Sequence, residues 1–256
     1  DNFTIKGMNI NQNIVDRAGL FGYAGGSFSN LKIYDGRVEK TAESLNDNTL
    51  FIGYICEDTE IDNLVVTGKI NGPVRSAAAI VGSTSYKNLT IKNTFVNIEI
   101  ESDFVCADSV KPLMGGLVAS SSYSSLTIDN CRVSGRLINN KDKGPVGGLV
   151  ASYDGNRIDV KNSTFDGYIK QMSAYPSNSD AVGGIIGFLN CNPSSVIENV
   201  SANVQILHNR EIYVVDNTEK FNLLHGFVGY ADASYRPSTV NNCFYSVKKG
   251  KTESEL

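Results

Sequence analysis

Carboxylates form the densest group of chemically active side chains in this chain. Glu57, Asp58, Glu60 and Asp62 place four acids within six residues. Clustered oxygen ligands are what calcium prefers, but the segment lacks the glycine and the spacing of a known calcium loop. We interpret it as a solvated turn, with calcium binding as the alternative, and we expect no metal site and no cofactor.

Histidine, the commonest general base, is almost absent, since His208 and His225 are the two in the chain. The sequence has no HExxH zinc-protease motif and no GxSxG nucleophile motif. Charged residues such as Arg132 and Arg136 alternate with uncharged ones, which is typical of a solvated sheet face. We therefore predict no enzymatic activity and no catalytic residues.

Tyrosines are the candidate binding residues. Tyr86, Tyr123 and Tyr235 each stand seven residues before a recurring asparagine, so we expect them on one corner of the fold. An exposed tyrosine can stack on a sugar ring or anchor a protein partner. The alternative is that these rings pack flat over a turn.

Tyr213 is the fourth candidate, and it lies in one of several insertions at the same position of the repeat. The insertions are residues 103–112, 139–145, 171–181 and 207–223. Insertions at one repeat position emerge on one edge of a solenoid and often form its binding face. The last one is apolar, and we expect it either to bind a partner or to cap the fold.

The elements that position these residues come from a repeat. Seven times, a small-residue cluster such as Gly-Leu-Val-Ala is followed about ten residues later by an asparagine. The asparagines are Asn30, Asn63, Asn93, Asn130, Asn162, Asn199 and Asn242. Their mean spacing is about 35 residues, within the range of solenoids and propellers.

The pattern within one repeat predicts three short strands. Residues 116–119 form an apolar run, whereas residues 126–128 and 131–137 alternate between apolar and polar. We predict an all-β fold, a right-handed parallel β-helix (β-solenoid) of about seven coils with three short strands each, as a single domain over residues 1–256. A β-propeller is the rival, but the chain has no tryptophan and the asparagine spacing varies from 30 to 43 residues.

The asparagine column has a structural interpretation. At a bend between two strands, asparagine tolerates left-handed backbone angles, and its amide can bond the amide of the next coil. We predict an internal ladder of this kind. Glycines 68, 135 and 167 fit a bend or a close contact between coils.

Cysteines follow two of these asparagines directly. Cys131 and Cys243 occupy a slot that Leu, Thr, Ser or Val fills in the other repeats. A slot that accepts these residues is small and interior, so we predict buried, unpaired thiols. The five cysteines contain no C-x-x-C pair, which argues against a zinc site or a disulfide framework.

The sequence resembles the GLUG repeat of bacterial surface proteins. The likeness rests on Gly-Gly-Leu-Val-Ala or Gly-Leu-Phe-Gly-Tyr followed by Ile-x-Asn-Cys-x-Val-Ser-Gly, and it is best over residues 18–38, 115–137 and 147–169. It implies an adhesin-like or accessory region. The chain opens inside a strand that often precedes such arrays, so we expect a fragment of a larger protein. The late glycine of the repeat is missing at Ile98, Val204 and Val247.

Composition narrows the class of partner. The net charge of −4 argues against nucleic acid, which selects basic faces. No run reaches the roughly 20 apolar residues of a membrane span, so we expect no direct membrane insertion. We predict a monomer, located outside the cell or on its surface, that binds a host protein or a glycan.

Three functions remain open at this point. The favoured one is a non-catalytic module that acts in adhesion or as a rigid stalk presenting loops. The second is a carbohydrate-active parallel β-helix enzyme, a polysaccharide lyase or glycosidase, which would need three or more acids or bases converging in a groove. The third is a spacer without any ligand.

Overall fold

The structure is a computed structural model that describes residues 3–11, 17–105, 111–141, 144–172, 181–208, 227–231, 237 and 239–250. Every regular element within these ranges is a β-strand. The part of the chain that the structure describes has no helix long and apolar enough to cross a membrane.

The strands are numbered along the chain. The first nine are β1 Phe3–Lys6, β2 Asn9–Ile10, β3 Phe21–Ser29, β4 Leu31–Glu39, β5 Ser44–Thr49, β6 Ile52–Asp62, β7 Val65–Gly72, β8 Val74–Ala78 and β9 Val81–Ser85. The next nine are β10 Leu89–Lys92, β11 Phe95–Ser102, β12 Leu113–Gly115, β13 Val118–Ser122, β14 Ser125–Asp129, β15 Arg132–Asn139, β16 Val146–Gly147, β17 Val150–Gly155 and β18 Arg157–Lys161. The last are β19 Thr164–Gln171, β20 Val182–Gly183, β21 Ile186–Cys191, β22 Val196–Glu198, β23 Ser201–His208, β24 Val228–Ala231, β25 Thr239–Asn241 and β26 Phe244–Gly250.

These strands form three sheets in which neighbours come from successive repeats. The nine-stranded sheet runs β1-β4-β7-β11-β15-β19-β23-β26, with β2 beside β4. The five-stranded sheet runs β5-β8-β12-β16-β20. The twelve-stranded sheet has two limbs that meet at β6, because the first half of this long strand pairs with β9 and its second half with β10. Each pairing between strands of the described residues is parallel, as between β11 and β15.

The core lies between the sheets and consists of side chains stacked in register. Val66, Val96 and Val133 are Cα partners on three consecutive strands and are buried. Ile91 and Ile128 are likewise buried Cα partners, on the twelve-stranded sheet. Burying one such aliphatic side chain stabilises the fold by about 1.5–3 kcal/mol. Because strands alternate with period two, the residues between them face outward.

The expectation of three strands in each repeat is wrong for the central repeats. A fourth short strand (β8, β12, β16 or β20) precedes the small-residue cluster. The run that contains Leu117 is therefore not one strand, since β12 ends at Gly115 and β13 begins at Val118. The reason is a tight bend, because a Cβ on Gly115 would lie 2.0 Å from the Val118 carbonyl oxygen.

The prediction of an all-β fold built of parallel strands is confirmed. The sheets curl around one apolar core, as in a β-solenoid. The rival interpretation as a β-propeller is wrong, because propeller blades belong to the antiparallel architectures and the pairings here are parallel.

Candidate functional site

The seven repeat asparagines share one bend of the fold. Each lies between a strand of the twelve-stranded sheet and a strand of the nine-stranded sheet, and each has a φ between 48° and 58°. They are Asn30, Asn63, Asn93, Asn130, Asn162, Asn199 and Asn242. Left-handed angles of this kind are ones that asparagine adopts more easily than most residues.

Side-chain amides link these asparagines along the outside of the molecule. In four of the six steps, one asparagine amide donates to the side-chain oxygen of the preceding one, as Asn130 does to Asn93 at 2.7 Å. In the other two steps the acceptor is an aspartate, Asp62 for Asn93 and Asp129 for Asn162.

The expectation of an internal ladder is wrong in its location. The asparagine side chains are exposed or half-buried, and the residue that follows each of them turns inward instead. Leu64 and Val200 are fully buried in that following slot. A residue in the left-handed region breaks the period-two alternation of the strands, which places the asparagine itself outside.

Two candidate tyrosines lie together on the surface. Tyr86 and Tyr123 are 73% and 59% exposed. Their rings are stacked, with centroids 5.0 Å apart and an interplanar angle of 10°. Both have positive φ angles, 60° and 51°, which are uncommon for tyrosine and recur at functional sites. We call Tyr86 and Tyr123 the tyrosine pair.

The remaining candidates lie outside the described residues. They are Tyr213 and Tyr235. His225 and Cys106, which were not candidates, also lie outside the described residues. The structure therefore brings together two of the four candidate tyrosines and leaves the other two undescribed.

The acidic segment of residues 57–62 lies in strand β6 and not on a turn, which corrects the expectation from sequence. Its carboxylates have separate partners. Asp58 accepts hydrogen bonds from the backbone and side-chain amides of Asn88 at 2.9 and 3.2 Å. Glu60 pairs with Lys92 at 3.0 Å, and this hydrogen bond raises the pKa of Lys92. Among the described residues, no group of three or more His, Cys, Asp or Glu could hold a metal ion.

The cysteines differ in exposure. Cys131 and Cys191 are buried, Cys243 is half-buried and Cys56 is exposed, and all four are free thiols. Burial raises the pKa of Cys131 to about 12. The prediction of a buried, unpaired thiol is confirmed for Cys131. Cys243 is unpaired but only half-buried; it directly precedes β26, which is the last strand of the nine-stranded sheet among the described residues.

Sequence reasoning missed a cleft of about 420 Å³ on the outer face of the nine-stranded sheet. We call it the glycine cleft. Its floor is the backbone of four residues in register: Gly36, Gly68, Ile98 and Gly135. One wall consists of Asp35, Thr67 and Asn97, and the other of Arg37, Lys69, Glu99 and Arg136.

Glycine gives this cleft its shape. Gly135 has a φ of 140°, and a Cβ there would lie 1.8 Å from the Ile98 carbonyl oxygen. Ile98 points into the core and is 1% exposed, so no side chain rises from the floor. On β4, the first strand of the cleft, Asp35 has a φ of 55° and the pairing of β4 with β7 shifts by one residue. This bulge places Asp35 at the rim.

Ion pairing neutralises the middle of the charged wall. The Lys69 ammonium lies 2.8 Å from the Glu99 carboxylate. Arg37 and Arg136 lie on the outer sides of this pair, and neither has a carboxylate partner among the described residues. The Arg136 guanidinium lies instead 5.4 Å from the ring centre of Tyr168, on the next strand.

The sequence contained a signal for this cleft. The charged residues of the cleft were interpreted from the sequence as part of a solvated sheet face. Alternation of charged and uncharged residues does not distinguish a flat face from a concave one. The glycines at one offset in successive repeats, each flanked by polar residues, mark the bend.

An aromatic row is a further surface that sequence reasoning missed. Tyr23 and Tyr54 are neighbours in register, and so are Phe188 and Tyr230 at the other end of the same row. Serines occupy the three positions between the two pairs. Arg17 lies over both Tyr23 and Tyr54, with its guanidinium 4.8 and 4.1 Å from the ring centres.

The chain matches no protein-family model. It matches no curated protein either. Its surfaces are therefore the basis for a proposal on function.

Proposed function

We propose that this chain is a non-catalytic repeat module of a bacterial surface or secreted protein, and that it acts in adhesion or as a rigid stalk that presents loops. In this proposal it is a right-handed parallel β-helix of about seven coils and belongs with the GLUG-repeat regions that it resembles. It works outside the cell or on the cell surface, as a monomer without a cofactor. Its partner is a host protein or a glycan.

The observation that carries this proposal is the continuous register of the nine-stranded sheet. Eight strands pair in sequence order from β1 to β26. At about 4.8 Å between strands, they extend over roughly 34 Å. Backbone hydrogen bonds along this whole length favour a stiff rod, and surfaces repeated along a rod favour contact with an extended partner.

Exposed aromatic rings support the adhesion side of the proposal. The tyrosine pair offers two stacked and largely exposed rings. Tyrosine provides a large contact area at low entropic cost and is enriched at binding surfaces. A spacer without a ligand has no need of tyrosines at left-handed backbone positions.

A binding panel tests this proposal. The purified chain is applied to glycan arrays and to immobilised host extracellular proteins, and the same ligands are analysed afterwards for cleavage. We expect binding to at least one ligand without any product. An empty panel favours the spacer, and any released product overturns the non-catalytic function.

A carbohydrate-active enzyme is the second candidate, and the glycine cleft favours it. Two carboxylates (Asp35 and Glu99) and three cations line this cleft, so acids and bases do converge in a groove. Against catalysis, Glu99 is engaged by Lys69 at 2.8 Å, whereas a glycosidase needs one carboxyl group free to protonate the leaving group. Asp35 is exposed to water at the rim.

Product analysis separates the two candidates. Polygalacturonate, alginate, hyaluronate and neutral glucans are incubated with the chain and assayed for reducing ends and for unsaturated sugars. We expect neither. Product that disappears in Glu99→Gln would establish the enzyme and place its chemistry in the cleft.

A further inference from the structure

We propose that the glycine cleft binds an extended acidic oligosaccharide that carries carboxylates on separate sugar units. This inference rests on the proposed function in that the ligand is bound and not cleaved. The cleft lies on the nine-stranded sheet, whereas the tyrosine pair follows strands β9 and β13 of the twelve-stranded sheet.

The shape of the cleft suits a chain-like ligand. It crosses four consecutive strands, β4, β7, β11 and β15. Three strand spacings of about 4.8 Å give a length of roughly 14 Å. The floor is backbone without protruding side chains, so a linear molecule can lie along the stack in contact with its bottom.

The neutral wall suits hydroxyl groups. Thr67 and Asn97 are in register on adjacent strands and reach the cleft. Ser134 continues this row on β15 and is half-buried. Hydroxyl and amide side chains both donate and accept hydrogen bonds, as sugar hydroxyls do. A repeating row of such groups matches a repeating row of hydroxyls.

The charged wall suits separated carboxylates. Arg37 and Arg136 are three strand spacings apart, with the Lys69–Glu99 pair between them. A guanidinium binds a carboxylate through two parallel hydrogen bonds. The two arginines can therefore each hold one carboxylate of an extended ligand, while the neutralised centre faces uncharged parts of it.

Charge distribution favours an anionic ligand at this place. The cleft has three cations against two carboxylates, whereas the whole chain has a net charge of −4. The cleft is thus a locally positive surface on an acidic protein. Such a surface attracts anions, and it repels a ligand with widely spaced charges only weakly.

An aromatic ring lies against Arg136 at one end of the site. Tyr168 follows Arg136 in register on β19. The Arg136 guanidinium lies 5.4 Å from the centre of this ring, a cation–π contact that orients the arginine.

Titration calorimetry with defined oligosaccharides tests the ligand class. The full chain is titrated with hexasaccharides of polygalacturonate, alginate and hyaluronate, with cellohexaose as the neutral control. We expect at least one acidic hexasaccharide to bind at least tenfold more tightly than cellohexaose. We also expect the affinity to fall as salt is raised, since the partners are partly exposed charges.

Arginine variants test the place. Arg37→Gln combined with Arg136→Gln should weaken binding of the acidic hexasaccharide at least tenfold. Arg132→Gln is the matched control, because Arg132 is an exposed arginine on the same strand, four residues from Arg136 and outside the cleft. It should change the affinity less than twofold. Circular dichroism and the melting temperature should be the same in all three proteins.

Four outcomes would contradict either the binding of an acidic oligosaccharide in the cleft or the non-catalytic function. Absence of binding to every acidic hexasaccharide overturns the inference, and so does equal binding of a single-stranded oligonucleotide of matched charge. Binding that survives loss of both arginines but not Tyr123→Ala also overturns it, while the proposed function stands. Cleavage of a hexasaccharide that still requires Arg37 and Arg136 overturns the non-catalytic function instead and leaves the ligand class of the cleft in place.

Discussion

The side-chain amide of Asn162 donates its hydrogen bond to Asp129, 2.9 Å away, and not to Asn130, its counterpart in the preceding repeat. Asp129 is the residue immediately before Asn130, so the acceptor along the column can change from an amide to a carboxylate. What is constant in all seven positions is the left-handed backbone angle. We infer that asparagine is needed mainly for its backbone and only secondarily for its amide.

This inference predicts different costs for two substitutions of Asn130. Asn130→Leu should lower the free energy of unfolding by about 1–2 kcal/mol, because leucine is strained at a φ of 51°. Asn130→Gly should cost less than half as much, since glycine adopts this angle freely. Both lose the 2.7 Å bond to Asn93. Urea denaturation measures the difference, and equal midpoints for the two variants would contradict it.

Sequence alone was sufficient for the parallel strands and for the bend. The fixed offset between the small-residue clusters and the asparagines predicts equivalent positions, and Asn93 and Asn130 are indeed joined along one column. The outer location of the column was not predictable from spacing. It depends on the left-handed angle, which reverses the side on which the next residue, such as Cys131, points.

Gly135 offers a second test, at the floor of the glycine cleft. A Cβ there would lie 1.8 Å from the Ile98 carbonyl oxygen, at a φ of 140°. Gly135→Ala should therefore lower the free energy of unfolding by at least about 2 kcal/mol, through backbone strain and overpacking. Its neighbour Ser134 is a control, because Ser134→Ala removes only a long hydrogen bond and should stay within about 0.5 kcal/mol of the wild type. Chemical denaturation of both variants checks this, and similar costs would show that Gly135 is not required.

The glycines at one offset mark a bend, but the sequence did not predict the concave shape of the cleft or the fourth strand. Period-two alternation reports which side of a strand a residue faces, but not whether that face is flat or concave. The bend at Gly115 depends on a close approach to the Val118 carbonyl oxygen, whereas the concavity at Gly135 depends on the approach of Ile98 on the neighbouring strand. Ile98 and Gly135 are 37 positions apart in the sequence, so their distance is a property of the stacked repeats, and the alternation pattern reports neither contact.

Thiol labelling distinguishes the cysteines by burial. In the native protein at neutral pH, Cys56 should react rapidly with a thiol reagent because it is exposed, whereas Cys131 and Cys191 should not react until the protein unfolds. Mass spectrometry of digested samples identifies the labelled sites. Cys56→Ser should remove the rapid phase, apart from any contribution of the half-buried Cys243 and of Cys106, which lies outside the described residues. Rapid labelling of Cys131 would contradict its buried position.

Alkaline pH gives a fourth test through Cys131. Burial raises the pKa of this thiol from 9.0 to about 12, so the folded chain holds the proton more tightly than the unfolded chain does. The resulting stabilisation is complete below pH 9 and is lost as the pH rises from 9 to 12, by at most about 1.4 kcal/mol per pH unit. Cys131→Ser, which copies the residue of the next repeat at this slot, does not titrate. Its unfolding free energy should fall less steeply over this interval, and parallel curves for the two proteins would refute the prediction.

The tyrosine pair allows stability and binding to be separated. Tyr123→Asn removes the 5.0 Å stack with Tyr86, at a cost of about 0.5–1.5 kcal/mol. It also relieves a left-handed angle that asparagine adopts more easily, a gain of about 1 kcal/mol. The melting temperature should therefore change little. Binding to a glycan or host protein that contacts this corner should weaken about fivefold or more, which corresponds to about 1 kcal/mol. If Tyr123→Asn instead lowers the stability by several kcal/mol, the ring has a structural role; array binding and thermal denaturation of the same protein sample decide between the two.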